Sequence, residues 1–147
     1  MPASFLSLPA ELRNEIYKYL LVCRNPINPW GTGHELASNL LSTNTTILYE
    51  ASSLLYGNNC FDLTSLSPKL ISEFLNAIGL VNASHLQCIR IDFPEFRNFE
   101  DEVSFEDNLH TLAMIQAYCT NLKYITTTAS TRYFHGNSTR FRQPYDL

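Results

Sequence analysis

Near the start of the chain, apolar residues recur at Leu8, Leu12, Ile16, Tyr19 and Leu20, the spacing of one helix face, while Arg13, Asn14 and Lys18 fall on the opposite side. Pro9 suits a first helical position, where no N–H is needed. Glu11 and Glu15 ahead of Lys18 and Arg24 match the helix macrodipole. The pattern predicts a first helix that ends before Pro26, then a loop in the turn-rich NPINPWGTG, residues 25–33. A second run, from His34 to Tyr56, carries Leu36, Leu40, Ile47, Ala51 and Leu54 on one stripe. Thr43, Thr45 and Thr46 lower helix propensity in its middle, so it predicts a helix with a kink or a non-helical step. Gly57, followed by Asn58 and Asn59, reads as its stop.

Beyond Gly57 the period shortens. CFDL at Cys60 to Leu63 predicts a short strand. SPKLISEFLNAIG follows as a helix with Ser67 as N-cap, Pro68 in the first position and Gly79 as stop. HLQCIRIDF, His85 to Phe93, alternates like a strand. A further helix is expected from about Phe105 to Tyr118, through Leu109, Leu112, Ala113 and Gln116, and LKYITTTA, Leu122 to Ala129, predicts a last strand. Strand, helix, strand, helix, strand is the order of βαβ crossovers, so the expected fold class is α/β with a small parallel sheet, α+β being the alternative. Two of the strands rhyme: SHLQCIRI and TNLKYITT align Leu86 with Leu122 and Ile89 with Ile125, each after a helix and a polar turn. That spacing fits a leucine-rich-repeat-like unit, and a plain α/β domain equally well. The expected division is a helical part at 1–59, a small α/β or repeat-like part at 60–130 and a tail at 131–147.

A length of 147 residues with 45% hydrophobic side chains fits one folded domain with a core that needs no covalent staple. The net charge of −4 argues against general attraction to nucleic acid or to an anionic membrane. Its distribution is uneven. Asp92, Glu95, Glu100, Asp101, Glu102, Glu106 and Asp107 stand against Arg97, whereas Arg132, Arg140 and Arg142 dominate the tail. The longest purely apolar run, Leu20 to Cys23, is too short to span a bilayer. Cys23, Cys60, Cys88 and Cys119 are spread far apart with no CxxC, the usage of small buried thiols, and predict an intracellular chain (cytoplasm or nucleus) with reduced cysteines.

Candidate chemistry is sparse. His34, His85, His110 and His135 are scattered, and the His85/Cys88 spacing has no second pair to complete a metal site. Gly31-Thr32-Gly33 lacks the later glycine and lysine of a phosphate loop, and no GxSxG elbow is present. The basic and aromatic stretches Arg132 to His135 and Arg140 to Arg142 are too short, in too acidic a chain, to predict single-strand binding. The expectation is a protein without catalytic residues, metal or cofactor. An enzyme would require a pocket gathering His85, His110 or Cys119 with a carboxylate.

Two motifs resemble a known family. LSLPAELRNEIYKYLL is similar to the first helix of F-box and F-box-like modules, above all the divergent versions of filamentous fungi, through Leu8, Pro9, Glu11, Leu12, Arg13, Ile16, Tyr17, Leu20 and Leu21. The later stretch Glu50-Ala51-Ser52-Ser53-Leu54-Leu55-Tyr56-Gly57-Asn58-Asn59-Cys60-Phe61 resembles the acidic-Ala-Ser-x-Leu-Leu-Tyr-x-x-Asn-x-Phe signature that usually follows in the fungal proteins. The Leu-rich second helix and Cys-x-x-Trp third helix of a standard F-box have no counterpart, and the one tryptophan, Trp30, falls in the Pro/Gly loop. The resemblance implies a non-catalytic protein–protein interaction module: a substrate receptor whose Leu8, Pro9, Leu12, Ile16 and Leu20 meet a Skp-type adaptor of a cullin-based ubiquitin ligase. The implied physics is a helix in a groove, each anchor contributing roughly 1.5–3 kcal/mol when fully desolvated. The alternatives are a scaffold derived from that module that no longer binds the adaptor, and a stripe that is simply core.

Overall fold

The computed structural model describes residues 4–32, 36–92 and 102–128, with the backbone alone at 102–104 and 128. Much of the acidic stretch (Glu95, Arg97, Glu100 and Asp101), His34, the tail with its arginines, and His135 lie outside the described residues.

After a 3-10 turn at Phe5–Ser7, α1 spans Ala10–Leu21, with Pro9 at its N-cap rather than inside it. The long second run is broken as its threonines predict. Ser38–Ser42 form a 3-10 turn, the chain extends at Asn44, and α2 begins afresh at Thr45 and runs to Asn58. Asn44 caps α2, its side-chain oxygen accepting from Thr46 N–H at 2.8 Å. Strand β1 is Cys60–Asp62, α3 is Pro68–His85, β2 is Cys88–Asp92, α4 is Glu102–Tyr118 and β3 is Tyr124–Thr128. Ser67 caps α3, and Pro68 fills its first turn. Gly79 breaks that helix as expected, with φ +78° and ψ 164°, a non-helical conformation favoured by glycine, but a second helical segment resumes beyond it, so His85 is helical and β2 starts three residues later. Gly57 stays helical, and the stop of α2 comes at Asn59.

The three strands form one parallel sheet in the order β1-β2-β3. The extended segment at Ile27 adds a parallel bridge outside β1: Ile27 N–H donates to the Cys60 carbonyl, and Asp62 N–H to the Ile27 carbonyl, both at 2.8 Å. Each of the four extended segments follows a helix, and the helices pack in sequence, α1 on α2, α2 on α3, α3 on α4. The result is a stack of four helix–strand layers. Register makes the stacking explicit. Ile27 pairs with Phe61, Phe61 with Ile89 and Ile89 with Ile125, a row of apolar residues through all four layers. The rhyme between Ile89 and Ile125 is therefore a physical register.

One buried cluster runs from Tyr17 in α1 to Cys119 after α4. Its centre is aromatic: Phe61 stacks on Tyr56 at 5.6 Å and meets Phe74 at 5.7 Å, while Trp30 reaches from the loop to Phe74 at 5.9 Å. Asn59, buried where α2 turns into β1, donates to the Leu21 and Leu55 carbonyls and accepts from Cys23 N–H. Three backbone groups near helix ends are thereby satisfied by one side chain.

The cysteines differ from the expectation of four free thiols. Cys60 and Cys88 are register partners in β1 and β2, with Cα atoms 4.5 Å apart, and form a disulfide. A separation of 28 residues in sequence hides this adjacency, which only strand pairing creates. Cys23 and Cys119 are free. No described helix is long and apolar enough to cross a membrane.

Candidate functional site

The site begins with the orientation of α1 about its own axis. Arg13 points inward. Its Nε donates to Glu50 Oε2 at 2.9 Å and its Nη2 to Glu50 Oε1 at 2.5 Å, a two-point grip on α2. Its remaining nitrogen, Nη1, donates back to the carbonyls of Leu8 and Leu6 and so ties the leading segment to the helix. Tyr17, one turn on and fully buried, donates its hydroxyl to Glu50 Oε2 at 3.0 Å and packs edge-on against Phe5 at 5.6 Å. Leu21 completes the inward row.

These contacts set the local electrostatics. The Arg13 hydrogen bond, with help from Tyr17, holds the Glu50 carboxyl below the usual carboxylate range. The hydrogen bond to Glu50 raises the Arg13 pKa in turn. Burial first, and the bond to Glu50 second, push the Tyr17 phenol up. The trio stays charged, charged and neutral around pH 7, which suits a fixed strut rather than proton transfer.

With Arg13, Tyr17 and Leu21 turned in, the apolar stripe turns out. Leu12 is 53% exposed and Ile16 37%, Tyr19 beside them stands in solvent, and Pro9 is exposed. Leu8 is half-buried. Leu20 does not join them; it packs against the core cluster. The reason is geometric. A row of residues four apart drifts by about 40° per step round an α-helix, so from Leu12 to Leu20 it turns by about 80° toward the inward face. The sequence pattern set Arg13 opposite the stripe, as found, but gave no sign that this side faces inward, because its charge is neutralised by a residue 37 positions away. Leu6, exposed just ahead of α1, and Tyr19 extend the outward patch. Tyr19 carried the same helical spacing as the stripe, whereas Leu6 precedes the helix and had no periodic signal.

The residues weighed for chemistry do not converge. Cys119 is buried, and burial pushes its thiol up to about 11, so it stays protonated near neutral pH. His110 is exposed on α4, and His85 is half-buried at the end of α3. No group of three or more potential metal ligands occurs among the described residues. Arg90 and Asp62 form a cross-strand pair at 3.5 Å on the sheet.

No protein-family model matches the chain, and neither a curated protein nor a solved structure is similar to it at a meaningful level.

Proposed function

We propose that the chain is a non-catalytic protein–protein interaction module of the F-box-like kind, in which the outward face of α1 docks into the groove of a Skp-type adaptor and the helix–strand stack behind it, similar in grammar to leucine-rich repeats, positions a substrate for ubiquitin ligation. One observation carries this reading: Leu12 and Ile16 are left in solvent while the opposite side of the same helix is locked inward by Arg13, Tyr17 and Glu50. Pro9, Leu12 and Ile16 are the central anchors, with Leu8 at the edge and Leu20 a core residue. A rigid helix presenting apolar residues one turn apart suits groove binding, because little ordering entropy is lost on docking.

The alternative, a scaffold that no longer takes the adaptor, draws on the narrowing of the ridge by Leu20. A pull-down with a purified Skp-type adaptor separates the two. Capture of the intact chain, lost in both Leu12→Asp and Ile16→Asp while their circular dichroism stays unchanged, supports the receptor role. Failure of the intact chain to bind favours the scaffold.

A further inference from the structure

Strand pairing sets two sulfurs side by side in the middle of the stack. Cys60 and Cys88 are register partners, and Asp62 with Arg90 forms the next rung but one on the same two strands. Phe61 and Ile89, which alternate with the cysteines, are buried in the core cluster. Cys60, Asp62, Cys88 and Arg90 therefore share the other face of the sheet, and all four are half-buried. The two remaining cysteines differ. Cys119 is buried, its thiol pushed up to about 11, and so is kept out of exchange. Cys23, beyond the end of α1, is free.

The strands do not depend on the bridge for their pairing. β1 and β2 share a parallel register, Leu63 N–H donates to the Arg90 carbonyl at 2.8 Å, and Arg90 meets Asp62 at 3.5 Å. Phe61 is gripped from behind by Tyr56 of α2 and Phe74 of α3. The Cα atoms of Cys60 and Cys88, 4.5 Å apart, sit close to the roughly 4.7–4.9 Å that separates neighbouring strands in any sheet. Dithiol and disulfide are thus compatible with one backbone.

The bridge ties one particular seam. Its ends are 28 residues apart and enclose all of α3, so it joins the layer of α2 and β1 to the layer of α3 and β2. The Arg13–Glu50 grip and the Asn59 bonds lie outside that loop. We propose that Cys60 and Cys88 are a reversible redox couple that locks and releases this seam by exchange with small thiols and disulfides of the glutathione class. In oxidation, the thiolate of one cysteine attacks a sulfur of glutathione disulfide and expels one glutathione thiolate. The thiolate of the other attacks the protein sulfur of that mixed disulfide, closes the Cys60–Cys88 bond and expels the second. Two electrons and two protons leave the cysteines and end on two molecules of glutathione. Reduction is the reverse. The inference is independent of the adaptor reading, since it leaves the setting of α1 untouched.

The test is a redox titration of the full chain in glutathione buffers that run from wholly reduced to wholly oxidised. Samples are quenched in acid, alkylated and weighed by mass spectrometry. The bridged fraction is expected to climb from nearly none to nearly all, to reach the same value from either direction, and to leave the circular dichroism unchanged. The oxidised chain should melt higher by on the order of 10 °C, as closure of a loop of this length implies. Amide exchange in α3 and β2 should slow severalfold on oxidation while that of α1 holds. Cys60→Ser and Cys88→Ser should abolish the response of melting to the buffer, and Cys23→Ser should keep it. A bond that persists in the folded chain at the reduced end is a fixed staple and overturns the proposal. So does a dithiol that no buffer oxidises, a reduced chain that unfolds, or a slowing of exchange shared equally by α1.

Discussion

Arg13 and Glu50, 37 residues apart, meet through two hydrogen bonds and thereby join the two sequence motifs of the chain. Their meeting decides which face of α1 is left for a partner. Each is expected to lower the melting temperature when replaced by alanine, and the double variant to lose less than the two single losses together, because removing one partner strands the other. Strict additivity in that cycle would show that the pair is not coupled. The pH dependence follows from the depressed Glu50 pKa. A carboxyl held below its unfolded value contributes stability that is full above the ordinary carboxylate range and is lost as pH falls through the folded pKa. The stability gap between the native chain and Glu50→Gln should therefore be widest near neutrality and close in acid.

Leu12 and Leu21 sit on one helix with opposite fates. Leu21→Ala opens a cavity in the core and is expected to cost about 2–5 kcal/mol in urea unfolding. Leu12→Ala, at an exposed site, should stay within about 0.5 kcal/mol. Equal losses at the two positions would mean that α1 is rotated from the orientation described.

Asn59 is buried and bonds to Leu21, Leu55 and Cys23. Asn59→Ala leaves buried carbonyls and an N–H without their partner and is expected to cost about 2–3 kcal/mol. Asn59→Asp should be at least as damaging, since a carboxylate cannot donate to the two carbonyls. Denaturant midpoints of the two variants check both statements.

Gly79 offers a prediction whose sign is unusual. Glycine-to-alanine inside a helix normally stabilises by roughly 0.5–1 kcal/mol. A Cβ at Gly79 meets nothing within 4 Å, so space is no obstacle, but φ +78° with ψ 164° is a region reserved to glycine. Gly79→Ala is expected to destabilise by about 1–3 kcal/mol through backbone strain alone. A stabilised variant would show that α3 runs straight through this position.

Local order was legible in the sequence, and long-range order was not. The strand–helix alternation from Cys60 onward, the break at the threonines before α2, the Ser67 cap and the rhyme of Ile89 with Ile125 all rest on neighbours or on a repeated spacing. Three features escaped because distant partners create them. Arg13 reads only as lying opposite the stripe, with nothing to turn that side inward until Glu50 is brought to it. Cys60 and Cys88 read as unrelated thiols until β1 and β2 pair. The helical segment that resumes beyond Gly79 has no signal of its own until Ala83 and Leu86 are buried in the core. At the docking face, the stripe was visible, but the inward turn of Leu20 depends on the drift of the row and on the fixed angle of α1 against α2.

The layered architecture has a consequence for how the molecule opens. Helices that pack in order, one on the next, transmit disturbance mainly to the adjoining layer, so cooperativity behaves like a row of coupled units rather than a single switch. Amide exchange should accordingly be graded along the stack, slowest at β1 and β2, where neighbours lie on both sides, and fastest at the β3 edge.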